Sequence, residues 1–86
     1  MKVSVEISLY PLADDYIPPI KRFIERLNGY STLRVITNTM STQVFGEYGT
    51  VMQVLGEEMQ TLHREVPKAS FVLKVLGSDL DPANQG

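Results

Sequence analysis

Val3, Val5, Ile7 and Leu9 alternate with Ser4, Glu6, Ser8 and Tyr10. A period of two puts the first set on one side of an extended chain and predicts a strand buried on one face. Pro11 ends it. Asp14 or Asp15 is placed to cap a following helix, with Pro18 and Pro19 in or near its first turn, where several N–H groups lack partners anyway. Its exact start stays open, because a residue before proline resists helical dihedrals. Ile20, Phe23, Ile24 and Leu27 form an i, i+3, i+4, i+7 stripe, with Lys21, Arg22, Glu25 and Arg26 off it. Asn28-Gly29 is a helix stop.

Leu33, Val35 and Thr37 read as one face of a second strand and Ser41 to Gly46 as a third, with Asn38-Thr39-Met40 as a short hairpin connection. A second helix follows, with Val51, Met52, Leu55, Met59 and Leu62 on one side. Gly56 weakens it by about 1 kcal/mol relative to alanine, and Pro67 closes it. Ala69, Phe71, Leu73 and Val75 alternate as a fourth strand. These elements define one domain over residues 1–78, and the polar stretch 79–86 is expected to be a flexible tail.

The order β-α-β-β-α-β predicts an α+β, ferredoxin-like domain, a four-stranded antiparallel sheet with two helices on one face. The helices would cover Val5, Ile7, Val35, Val44 and Leu73. The other face would carry Glu6, Ser8, Tyr10, Arg34, Ile36, Gln43, Phe45, Val72 and Lys74. That mixture is too apolar for a purely solvated face and too polar for a core. Ile36, Phe45 and Val72 in particular predict a homo-oligomer, dimer or tetramer, packed sheet on sheet with room for a polar ligand.

Composition narrows the partners. At 86 residues the chain is one domain with a thin core. Its net charge is −2, and no block of Lys or Arg offers a nucleic acid or an anionic membrane a surface. With no cysteine, disulfides and thiolate metal sites are excluded. Met1-Lys2 runs straight into a strand pattern and no apolar stretch reaches membrane length, so the expected compartment is the cytoplasm, without membrane insertion.

Catalytic chemistry finds little support. His63 is the only histidine, late in the second helix, and reads as a helix-end residue rather than a general base or metal ligand. Asp14 and Asp15 are adjacent, so they do not face one substrate from opposite sides. Glu57 and Glu58 read as a solvated helix face. The chain is expected to be no enzyme and to hold no metal.

Polar groups concentrate instead in two clusters where strands give way to turns. One is Ser8-Leu9-Tyr10-Pro11 with Asp14-Asp15-Tyr16-Ile17; the other is Thr37-Asn38-Thr39-Met40-Ser41-Thr42. Tyr10 suits either interface packing with its hydroxyl at the rim or stacking on a flat heterocycle. The hydroxyl residues are also ordinary strand formers, Asn38 is a turn residue by default, and Gly46 marks a bulge or a tight strand-to-helix junction.

Ser8-Leu9-Tyr10-Pro11, Asp14-Asp15, Tyr16-Ile17 and Ile20-Lys21 resemble the first characteristic stretch of the YkoF-type thiamin- and hydroxymethylpyrimidine-binding proteins. Thr37 and Thr39, then Ser41-Thr42 and Gly46, resemble the second. The likeness runs from about Val3 to Val54. It implies a ferredoxin-like domain that binds thiamin or its hydroxymethylpyrimidine moiety unchanged, with no further cofactor, in vitamin transport, salvage or sensing. Ser8, Asn38, Thr39, Ser41 and Thr42 would meet the edge of an aminopyrimidine and Tyr10 would stack on it. The thiazolium cation would favour a nearby carboxylate or aromatic face. The candidate ligand contacts are Ser8, Tyr10, Asp14, Thr37, Asn38, Thr39, Ser41 and Thr42. The better-known relatives carry two such domains in tandem, so a single copy would need two subunits to supply what duplication supplies. In this topology the first and third strands are expected to run parallel, which sets Tyr10 far from Ser41, so either one cluster binds alone or the site crosses an interface. The competing readings are a dimeric enzyme of the same fold acting on a small substrate, and a regulatory or oligomerisation domain binding another metabolite.

Overall fold

The computed structural model describes residues 1–12, 17–38 and 41–85. Alternation makes strands where it was expected: β1 (Lys2–Tyr10), β2 (Arg34–Thr37), β3 (Thr42–Glu47) and β4 (Ser70–Leu76). The apolar stripes make α1 (Ile17–Asn28) and α2 (Tyr48–Glu65). Both prolines of α1 fall in its first turn, where no intrahelical donor is lost. The capping aspartates Asp14 and Asp15 lie outside the described residues.

The sheet order is β2-β3-β1-β4, and every neighbouring pair is antiparallel. This is the ferredoxin-like arrangement. It corrects one expectation. β1 and β3 are not parallel: Lys2 faces Glu47 and Ile7 faces Thr42. The reason is topological. The crossover through α1 returns the chain parallel to β1 in β2, and the hairpin then reverses it. The end of β1 therefore lies beside the start of β3.

Val3, Val5, Ile7 and Val44 line the covered face, against Phe23 and Leu27 of α1 and Val51, Leu55 and Leu62 of α2. Gly46 marks a tight junction and not a bulge, since the β1–β3 register continues through it from Val3. A Cβ there would meet Val51 Cγ2 at 3.1 Å and the Thr32 carbonyl oxygen at 3.3 Å. The bare backbone lets α2 begin hard against the sheet.

Glu58 departs from its expected solvated position. It is 8% exposed and accepts from Arg26 Nε (2.6 Å) and from the Tyr30 hydroxyl (2.7 Å). This clamp joins α2 to α1 and to the turn after it. The hydrogen bond to the carboxylate raises the pKa of Tyr30 above the usual tyrosine value, with desolvation and the charge of Glu58 adding.

The C-terminal stretch is no loose tail. Ser4 Oγ donates to the Ser78 carbonyl (2.6 Å) and accepts from Leu80 N (2.8 Å). Asp81, 4% exposed, accepts from Arg34 Nε (2.7 Å) and Ala83 N (3.0 Å) as the N-cap of a short 3-10 turn, Pro82–Asn84. Asp79 accepts from Asp81 N and Asn84 Nδ2. The polarity that suggested a tail is consumed in holding this strap onto the open face of the sheet. Phe45, on that face, is only 6% exposed within the single chain, so it no longer argues for a sheet-on-sheet partner; Val72, opposite Ser8 on the outer strand, stays exposed. Among the described residues, no helix is long and apolar enough to cross a membrane.

Candidate functional site

Three strand ends meet at one edge of the domain. Ile7 of β1 pairs with Thr42 of β3, and Thr42 pairs with Thr37 of β2. Asn38 N donates to the Ser41 carbonyl (2.8 Å) and closes the hairpin connection. Proline ends β1 at the same level, and Leu12, with φ of 40°, turns the chain away, a left-handed conformation that leucine rarely adopts.

Between this edge and α1 lies a cavity of about 170 Å³. Ile20, Phe23 and Ile24 of α1 and Ile7 and Leu9 of β1 form its apolar wall. Thr37, Asn38, Ser41 and Thr42 form its polar rim, and Ser8 completes the lining. Ser8 and Leu9 of the first sequence cluster therefore meet the second cluster within one subunit, because β1 and β3 are antiparallel. Alternation sets the Ser8 side chain on the open face with its partner Val72, so Ser8 offers the cavity its backbone.

Thr42 is almost fully buried, Ser41 half-buried, and Thr37 and Asn38 exposed. Among the described residues, the side-chain hydroxyls that donate hydrogen bonds within the protein are those of Ser4, Tyr30 and Thr61. Among the described residues, no partner takes a hydrogen bond from the rim hydroxyls. Tyr10 does not join them. It sits at the end of β1 on the open face, opposite Ser70 and 54% exposed, across the sheet from the cavity. Asp14 and Thr39 lie outside the described residues.

The helix wall was missed as part of a site. Phe23 and Ile24 figure in the sequence pattern only as part of a core stripe, and Ile20 as part of that stripe and of the first motif. The available signal was their level along the helix, which faces the strand ends where the hydroxyls gather. No charged side chain lines the cavity among the described residues. Apolar walls with a one-sided rim of hydroxyls and an amide suit a neutral ring with polar edge groups. The size agrees, since a cavity of about 150 Å³ holds a benzene molecule.

No model of a known family matches the chain, and no curated protein matches it in sequence. Solved structures do share the fold. A protein of Streptococcus pneumoniae superposes with a TM-score of 0.84 at 21% identity, over 93% of this chain and 90% of that one. A Thermotoga maritima protein, named for a proposed part in thiamine biosynthesis or salvage, gives 0.82 at 22% identity, over 91% and 85%. A Bacillus cereus domain of unknown function, DUF77, gives 0.79 at 18% identity, over 99% and 86%. These likenesses establish the ferredoxin-like fold of this chain.

Proposed function

We propose that this protein binds thiamin or its hydroxymethylpyrimidine moiety without altering it, with the pyrimidine ring seated in the cavity between α1 and the strand ends. The observation that carries the reading is a ring-sized hollow where the backbone of Ser8 and the side chain of Leu9, from the first cluster, meet Thr37, Asn38, Ser41 and Thr42 of the second. Phe23, Ile24 and Ile7 would hold the faces of the ring. Asn38, Ser41 and Thr42 would meet its amino and ring-nitrogen edge, each offering both a donor and an acceptor. The resemblance to YkoF-type proteins and the fold shared with the Thermotoga protein named for a proposed part in thiamine biosynthesis or salvage support the same ligand class.

The cavity has room for one ring. In thiamin the thiazolium would project past the rim. Phosphorylated forms would gain nothing, because no Arg or Lys lines the cavity among the described residues and tight phosphate binding draws on such groups. Chemical turnover needs a placed acid or base, and the described lining offers none, which favours a carrier, salvage or sensing role over catalysis.

Calorimetry and thermal shift with hydroxymethylpyrimidine, thiamin and thiamin diphosphate test the reading. Binding should be strongest for the unphosphorylated compounds, with the ligand recovered unchanged. Absence of both heat and stabilisation with all three compounds would overturn it.

A further inference from the structure

The open face of the sheet carries a second, larger hollow, of about 380 Å³. Two cross-strand rows build it. Gln43, Glu6 and Lys74 stand opposite one another on β3, β1 and β4. One step along, Phe45, Ser4 and Leu76 do the same. The strap then closes the apolar end with Leu80 and Pro82. Ser4 is committed to holding the strap, so the hollow is left with one polar row and an apolar body.

The polar row is loosely engaged. Lys74 Nζ stands 3.7 Å from Glu6 Oε1, and both side chains are substantially exposed. A pair so placed contributes little to stability and exchanges partners cheaply. The geometry points to a small zwitterion with an apolar body as the occupant, an α-amino acid of leucine to phenylalanine size. Its ammonium takes the place of Lys74 at Glu6. Its carboxylate takes the place of Glu6 at Lys74, with the Gln43 amide beside it. No charge is left unpaired by the exchange. The side chain lies between Phe45, Leu76 and Leu80. The volume is within the usual range for ligand sites, roughly 300–1,000 Å³, which the ring-sized cavity is not. This site is on the other face of the sheet and goes beyond the vitamin-binding reading.

The test is a titration of the full chain with leucine and with phenylalanine, read by backbone amide shifts and by calorimetry. Glycine, N-acetylleucine and leucinol serve as comparators lacking the apolar body, the ammonium and the carboxylate. Leucine or phenylalanine should move the amides around Gln43, Lys74 and Leu80, with each comparator about tenfold weaker or more. Glu6→Gln, Lys74→Met and Leu80→Ala should each weaken binding by a similar factor while the far-ultraviolet dichroism stays unchanged. Hydroxymethylpyrimidine should not move these amides. Three results would overturn the assignment: no shift at these residues with millimolar amino acid, binding indifferent to the three substitutions, or light scattering showing a dimer that Leu76→Lys dissociates, which would give the face to a second copy of the chain.

Discussion

The two hollows of this domain are assembled differently. The cavity beside α1 is made where regular elements end: three strand termini and one helix face, fixed by sheet register. The hollow on the open face is made by an irregular strap laid across a finished sheet. The first depends on topology, and side-chain changes at its rim should spare the fold. The second depends on a few hydrogen bonds, and disturbing its floor should cost stability. Substitution at a rim and at a floor therefore separates the two.

The largest effect is expected at the floor of the strapped hollow. Phe45→Glu buries a charge among the strap, β1 and β3, and should cost about 3 kcal/mol or more. For a domain of this size that lowers Tm by 10 °C or more, at about 4–8 °C per kcal/mol. Denaturant unfolding checks it. If Phe45→Glu leaves stability intact and only dissociates an oligomer, the strap does not cover this residue in solution.

Glu58→Ala comes next. It leaves Arg26, already short of a partner at Nη2, without its carboxylate. Arg26 keeps some solvent access, so a cost of about 2 kcal/mol is expected, below the 3–5 kcal/mol of a fully buried pair. Neither hollow should lose its ligand.

At the rim of the ring-sized cavity, Ser41→Ala and Thr42→Val should lower affinity for hydroxymethylpyrimidine about tenfold, the consequence of a ligand group losing a partner worth about 1–3 kcal/mol. Tm should move little. Tyr10→Ala, across the sheet, should leave that affinity unchanged. Lowered Tm with unchanged affinity in the rim variants would make the hydroxyls structural and move the site elsewhere.

The smallest effect is a titration. Tyr30 donates to Glu58, so its folded pKa is raised. Its contribution to stability is then full below the ordinary tyrosine pKa of about 10 and is lost as pH rises through the higher folded value. Ultraviolet titration should show a late tyrosine component, and Tyr30→Phe should remove it.

The contrast between the hollows also explains what the sequence revealed. Regular elements carry a period, so β1, α1 and the β2–β3 hairpin were readable from Val3-Val5-Ile7, from Ile20-Phe23-Ile24-Leu27 and from the Asn38 turn. Antiparallel pairing of β1 with β3 was deducible from the element order but was assigned the wrong way, and that error separated clusters which the structure joins. Glu58 had a signal too. It falls in step with Val51, Val54 or Leu55, and Leu62, all buried, and only its adjacency to Glu57 suggested solvent. The strap has no period. Ser78, Asp79 and Asp81 bond to groups far away or to one another, and local composition reads such residues as a tail. Tyr10 stands apart from the cavity that its neighbour Leu9 lines, because a strand sends alternate side chains to opposite faces.

The strap also sets a schedule for folding. Ser4 meets Ser78 and Leu80 across 74 and 76 residues of chain, and β1 pairs on one side with β4, the last strand. Contacts of such long separation require the cost of loop closure before they repay it, which slows folding. During synthesis, the Val3–Ile7 segment emerges before both of its neighbours and waits for them. Until residues 70–81 arrive, β1 presents an unpaired edge rich in β-branched residues, the kind of edge that recruits other chains. The period of greatest aggregation risk for this protein is therefore set by its last strand and strap, and delayed delivery of those residues should reduce the soluble yield more than slow folding of either helix.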